Sequence, residues 1–153
     1  MRGLVNHLLF WGPSLEGAAR KQTVPPPGPT ETDPGLGTGD LLAQLDRTAE
    51  AWSDPSAWEG VTHLGGPTEL PAALVGGMVV TELIVHGWDL AKATGQHLDP
   101  AADLLDFLLD EVSTTAEQGR AMGVYGPEVP APENAPKLDR VVALTGRDPG
   151  WTP

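Results

Sequence analysis

The sequence predicts a mainly α fold, a helical bundle with a short hairpin insertion and an irregular proline-rich C-terminal segment. Three observations predict it. Residues 40–53 and 101–122 place leucine, valine, alanine and tryptophan at the three- and four-residue spacing of one helix face. Residues 74–90 form the longest apolar run of the chain, interrupted by only three ionisable side chains, Glu82, His86 and Asp89. Only 58–69 reads as a hairpin, with Gly65-Gly66-Pro67 as its turn.

Taken in order, residues 1–11 predict a short helix through Leu4, Val5, Leu8 and Leu9, stopped by Gly12-Pro13, with a second short amphipathic stretch over 14–22. Residues 23–38 hold Pro25-Pro26-Pro27-Gly28-Pro29 and Pro34-Gly35, and read as an irregular loop, a surface excursion or a lid. The helix over 40–53 is capped by Thr38 or Gly39 and lays down a stripe of Leu41, Leu42, Leu45, Ala49 and Trp52. Pro71 starts the central helix at its first turn, and Gly95 ends it. Gly76-Gly77 inside that helix costs roughly 1 kcal/mol per glycine and implies close approach of a neighbouring element. Asp99-Pro100 caps the next helix, which buries Leu104, Leu105, Leu108, Leu109 and Val112 and closes at Gly123. Residues 125–136 are extended, and 136–144 form a last short helix ended by Gly146.

At 153 residues the chain reads as one domain, 1–153, long enough to bury a core. Nine basic against 21 acidic residues give a net charge of −12, which argues against a nucleic-acid backbone or an anionic membrane as partner. The three ionisable residues of 74–90 argue against a membrane span, and the amino terminus lacks signal-peptide architecture, so the chain reads as cytoplasmic. Cysteine is absent, which excludes disulfides, cysteine-ligated metals and a protein thiol nucleophile. Any thiol chemistry must use a thiol carried by a small molecule.

Glu82 and His86 carry the chemistry. Four residues apart on a helix, they stand about 40° apart around the axis and one turn apart along it. A carboxylate and an imidazole on one face of an apolar helix are costly to bury without compensation, either from a metal ion or from a mutual hydrogen bond. His7, at the edge of the first apolar stripe, and His63, in the hairpin, mean little by themselves; Trp88 reads as core.

The stretch Thr81-Glu82-Leu83-Ile84-Val85-His86-Gly87-Trp88-Asp89-Leu90-Ala91-Lys92-Ala93-Thr94-Gly95 resembles the central-helix signature of a family of metal-binding proteins. That family is related to the mycothiol-dependent maleylpyruvate isomerases and the wider DinB/YfiT-like four-helix bundles. Arg2-Gly3-Leu4-Val5-Asn6-His7-Leu8-Leu9 resembles its first ligand helix, and Tyr125-Gly126-Pro127-Glu128-Val129-Pro130 with Asp139-Arg140 and Leu144-Thr145-Gly146-Arg147-Asp148-Pro149 resembles its C-terminal segment. The resemblance implies a divalent-metal site made by His7, Glu82 and His86. Two imidazoles and one carboxylate leave a coordination position open, the pattern of catalytic zinc, and also suit Fe(II) or Ni(II). Asp89 either orients a ligand or is a solvent-facing charge or a local salt bridge.

The family usually carries a further helix before the first ligand helix, and without it a bundle exposes an apolar side. An upstream start is the first expectation, because a GUG codon read as Met1 encodes the valine often found there; a homodimer covering that face is the second, and a lost fold the third. Functionally the resemblance implies a metalloenzyme in which the metal ionises the thiol of a cofactor such as mycothiol to attack an electrophilic substrate, of isomerase or transferase type. The alternatives are a non-catalytic metal-binding or interaction module, and a degenerate bundle in which the three residues only hydrogen-bond to one another.

Overall fold

In the computed structural model, which describes residues 2–31 and 37–153, α1 (Arg2–Ala19) runs on through Pro13. Met1, with the question of the start codon, and residues 32–36 of the 23–38 loop lie outside the described residues. The sequence stops this helix at Gly12-Pro13; the structure joins it to the second amphipathic stretch instead. A proline inside a helix costs about 3 kcal/mol. Leu8, Leu9, Phe10 and Leu15 are buried on either side of it, each worth roughly 1.5–3 kcal/mol, so burial wins. The helix ends where Lys21 turns left-handed (φ 58°) and Gln22 N–H bonds back to Gly17 C=O at 2.9 Å.

The chain divides into two compact units, residues 1–79 and 80–153, with the division inside the central helix. In the first unit α1 packs on α2 (Thr38–Trp52). The buried face of α2 is Leu41, Gln44, Thr48 and Trp52, whereas Leu42, predicted on the stripe, is 64% exposed. The polar pair is tolerated because it is satisfied. Gln44 donates to Glu16 Oε2 (3.0 Å) and accepts from Arg47 (2.6 Å), and Thr48 Oγ1 donates to Gln44 C=O (2.9 Å). The α2 cap also differs from expectation: it is Gly37, whose N–H donates to Asp40 Oδ2 at 2.8 Å.

A 3-10 turn at Pro55–Trp58 leads to the expected hairpin, β1 (Val61–His63) antiparallel to β2 (Glu69–Pro71), with Thr62 facing Leu70. Pro71 closes β2 rather than opening the helix, and α3 runs Ala72–Ala93. Close approach explains Gly76. A Cβ there would stand 2.4 Å from Trp58 Cζ3 and 2.9 Å from Trp52 Cζ3, two rings in an edge-to-face pair with centroids 5.2 Å apart.

The second unit takes the rest of α3, α4 (Ala102–Ala121) and α5 (Lys137–Leu144) around Val85, Leu108, Val112, Ala116 and Val141. Asp99 does not cap α4; Ala101 holds the cap position with no side-chain bond, and Asp103 supplies the negative charge in the first turn. Leu108 and Val112 are fully buried, while Leu104 and Leu109 pack at the edge of the cluster. The 125–136 segment returns alongside the end of α5, with Gly126 N–H to Thr145 C=O at 3.2 Å and Val129 N–H to Ala143 C=O at 3.1 Å. Gly146 (φ 88°) ends α5 where a Cβ would lie 2.6 Å from Gly126 Cα. Among the described residues five α-helices and one two-stranded sheet make a mainly α protein. Among the described residues one helix, α3, is long and apolar enough to cross a membrane by length and composition; Val75, Val79, Val85 and Trp88 on it are buried within the protein.

Candidate metal centre

Glu82, His86 and Asp89 fall at i, i+4 and i+7 of α3, so one face of the helix presents all three on successive turns. The ring of His86 is gripped on both nitrogens. Nε2 lies 3.3 Å from Glu82 Oε1, and Nδ1 lies 2.8 Å from Asp89 Oδ2. Asp89 thus bonds the His86 ring and at the same time forms a salt bridge. Its partner is Arg147, which reaches from the turn after α5 to place Nε 2.8 Å from Oδ1 and Nη2 2.9 Å from Oδ2, a two-pronged charged pair.

Burial alone would push the His86 pKa down. The hydrogen bonds to Asp89 and Glu82, with the Glu82 charge, outweigh that and the opposing Arg147 charge, and raise it to about 9. Asp89 shows the mirror image: burial pushes its carboxyl up, but the bonds to His86 and Arg147 hold it below the usual aspartate range. Tyr125, packed over Gly119, is raised by burial first and then by the charge of Glu82, which puts its phenol in the electrostatic neighbourhood of the same face.

His7 belongs to the first unit, on α1. Its Nδ1 lies 2.9 Å from Glu31 Oε1, and the same oxygen accepts the Trp11 indole N–H at 3.0 Å. Glu31 arrives on the proline-rich stretch after α1. Trp11 Cζ3 lies 3.1 Å, and Pro26 of that stretch 3.6 Å, from the Cβ position of Gly65 in the hairpin turn. Each histidine named as a ligand thus has Nδ1 on a carboxylate, Glu31 for His7 and Asp89 for His86. This is the arrangement in which Nδ1 carries the proton and Nε2 is the nitrogen that binds a metal.

His63 is half-buried at the hairpin rim, opposite Glu69, with Nδ1 lacking a hydrogen-bond partner; it has no link to Glu82 or His86 among the described bonds. Trp88 is core, as predicted, with the Lys92 ammonium 5.3 Å from its ring centroid. Glu31 and Arg147 are the residues that sequence reasoning does not single out. Neither lies on the periodic face of a helix with its partner: 24 residues separate Glu31 from His7, and 58 separate Arg147 from Asp89.

No family model matches the chain, and no solved structure matches it. Two uncharacterized proteins of Mycobacterium tuberculosis, from strains CDC 1551 / Oshkosh and ATCC 25618 / H37Rv, are each 33% identical to it over 81 residues. The match covers 52% of this chain and 44% of theirs, so the chain spans less than half the length of these relatives.

Proposed function

We propose that this protein binds a divalent metal through His7, Glu82 and His86 and uses it, in the manner of the DinB/YfiT-like bundles related to mycothiol-dependent maleylpyruvate isomerases, to act on an electrophilic small molecule with a low-molecular-weight thiol. The observation that carries the reading is the pairing of both histidines with a carboxylate at Nδ1. Two imidazoles and a carboxylate are a donor set suited by chemistry to a divalent ion. The set fits zinc first and Fe(II) next, and three protein ligands leave room for an exogenous one. A metal bound there would supply Lewis acidity, lowering the pKa of a thiol or a water at the open position.

The chain's own residues do the rest. Asp89 orients the His86 ring and Glu31 the His7 ring, Glu82 offers one charge to offset the cation, and the apolar flank of α3 beside Val85 lowers the local dielectric. The thiol must come from outside, because the chain has no cysteine. Mycothiol is the proposed thiol, isomerase or transferase chemistry the proposed class, and the cytoplasm the proposed compartment.

A second reading is favoured by the 3.3 Å approach of Glu82 to His86, which lets the two satisfy each other as a structural pair. Cobalt substitution separates the readings. With Co(II) in place of zinc, the metal reading expects visible d–d absorption that changes on adding a small thiol, with a sulfur-to-cobalt charge-transfer band in the near ultraviolet. Absorption that appears but ignores thiols would leave a non-catalytic metal module. A titration without any cobalt spectrum would support the structural pair.

A further inference from the structure

We infer that Arg147 is a positioning residue for His86: its fork on the Asp89 carboxylate fixes the imidazole with Nδ1 toward Asp89 and Nε2 toward Glu82. The ring-orientation part stands on the hydrogen-bond geometry, and its consequence for metal affinity rests on the metal reading above.

A carboxylate one turn from a histidine on a half-buried helix face has no reason by itself to hold one rotamer; it could as well turn to water. Here both oxygens are occupied. Arg147 Nε takes Oδ1 and Nη2 takes Oδ2, so the carboxylate plane is set by the guanidinium plane, and Oδ2 is left presenting its remaining lone pair to His86 Nδ1 at 2.8 Å.

The guanidinium is itself held. Nη1 donates to Thr145 Oγ1 at 3.2 Å. Thr145 is 1% exposed and its hydroxyl proton is committed to Val142 C=O at 2.7 Å, so its oxygen is free to accept. The Arg147 backbone N–H closes the end of α5 on the same Val142 carbonyl at 3.0 Å. The chain of bonds runs from the α5 terminus through Thr145, Arg147 and Asp89 to the ring of His86.

The cation that α3 itself carries near its end, Lys92, is committed elsewhere: its Nζ donates to Pro149 C=O at 2.9 Å and lies over Trp88. Only a planar, two-pronged donor does what Arg147 does here, and a lysine in its place would keep the charge but not the plane.

The test uses the full chain with Arg147→Gln, Arg147→Lys and, as control, Arg120→Gln. Arg120 also ties to the C-terminal segment, through Leu144 C=O at 3.1 Å, without touching Asp89. Two quantities are read. The first is the tautomer of His86 in the metal-free protein, from two-bond proton–nitrogen correlations at about pH 10, where the ring is neutral. The second is zinc affinity by competition with a chromogenic chelator.

The wild type and the Arg120 control should show one tautomer with the proton on Nδ1. Arg147→Gln should give a mixture of tautomers and bind zinc roughly 10- to 100-fold more weakly. Arg147→Lys should lie between, roughly three- to tenfold weaker, and serves alone if the glutamine variant does not fold.

The tautomer is the deciding readout. A single Nδ1–H form retained in both variants overturns the proposal even if zinc affinity falls, because a lost charge would then explain the fall. A mixed tautomer with zinc affinity within threefold of wild type overturns its metal consequence. If the wild type binds no zinc, the metal reading fails, and the tautomer still decides whether Arg147 positions the ring.

Discussion

At His86, burial and charge pull in opposite directions, and charge wins. With its pKa raised from about 6.5 to about 9, the ring of the metal-free protein is protonated at neutral pH. A folded pKa above the unfolded one means that the proton's contribution to stability is complete below about pH 6.5 and is lost as pH rises through about 9. The contribution has an upper bound of roughly 3 kcal/mol, and solvent screening of a partly exposed ring reduces it to about 1–2 kcal/mol. Asp89 has the reverse sign: its depressed pKa gives stability at neutral pH that disappears as pH falls through that lowered value. Urea unfolding of metal-free protein should therefore show stability declining between about pH 6.5 and 9, with most of the slope gone in His86→Gln; equal slopes in the two proteins would contradict this account. Zinc competes with the proton, so its affinity should climb over the same interval. Glu82 and His86 are legible in the sequence because a spacing of four on a helix is a geometric statement, and Asp89 is legible to the extent that it shares their face. Glu31 and Arg147 are not, because the loop and the post-α5 turn that deliver them follow no periodicity.

At the scale of elements, apolar spacing foretells α2 and α4, the long apolar run foretells α3, Gly146 marks the end of the short helix α5, and Gly65-Gly66-Pro67 foretells the hairpin. The misreadings share a cause: local rules overruled by packing. Pro13 reads as a stop signal, yet the apolar residues before and after it dock as one helix. Leu42 reads as core, yet it points outward while Gln44 and Thr48, satisfied by Glu16, Arg47 and the helix backbone, go inside. Gln44 also fills the space left by Gly12, where a Cβ would stand 2.4 Å from its Cγ. If α1 is continuous, Pro13→Ala restores a backbone donor in the middle of a helix and should stabilise the protein by about 1–3 kcal/mol in thermal or urea unfolding. A destabilisation of that size would mean that the segment needs the break the sequence suggests.

For the whole molecule, the net charge of −12 and the buried residues of α3 set the frame in which the site has to work. Such a charge repels anionic polymers and surfaces. The mycobacterial relatives are more than twice as long as the matched segment, and the reaction stands as a proposal. Its central claim is the metal. Elemental analysis of purified protein, wild type beside His86→Ala and His7→Ala, measures that claim most directly. About one divalent metal per chain in the wild type, lost or reduced at least tenfold in occupancy in both variants, is the result expected of a three-ligand site. A folded wild-type protein that carries no metal, even after incubation with zinc and removal of the excess, would contradict it and leave Glu82 and His86 as a structural pair.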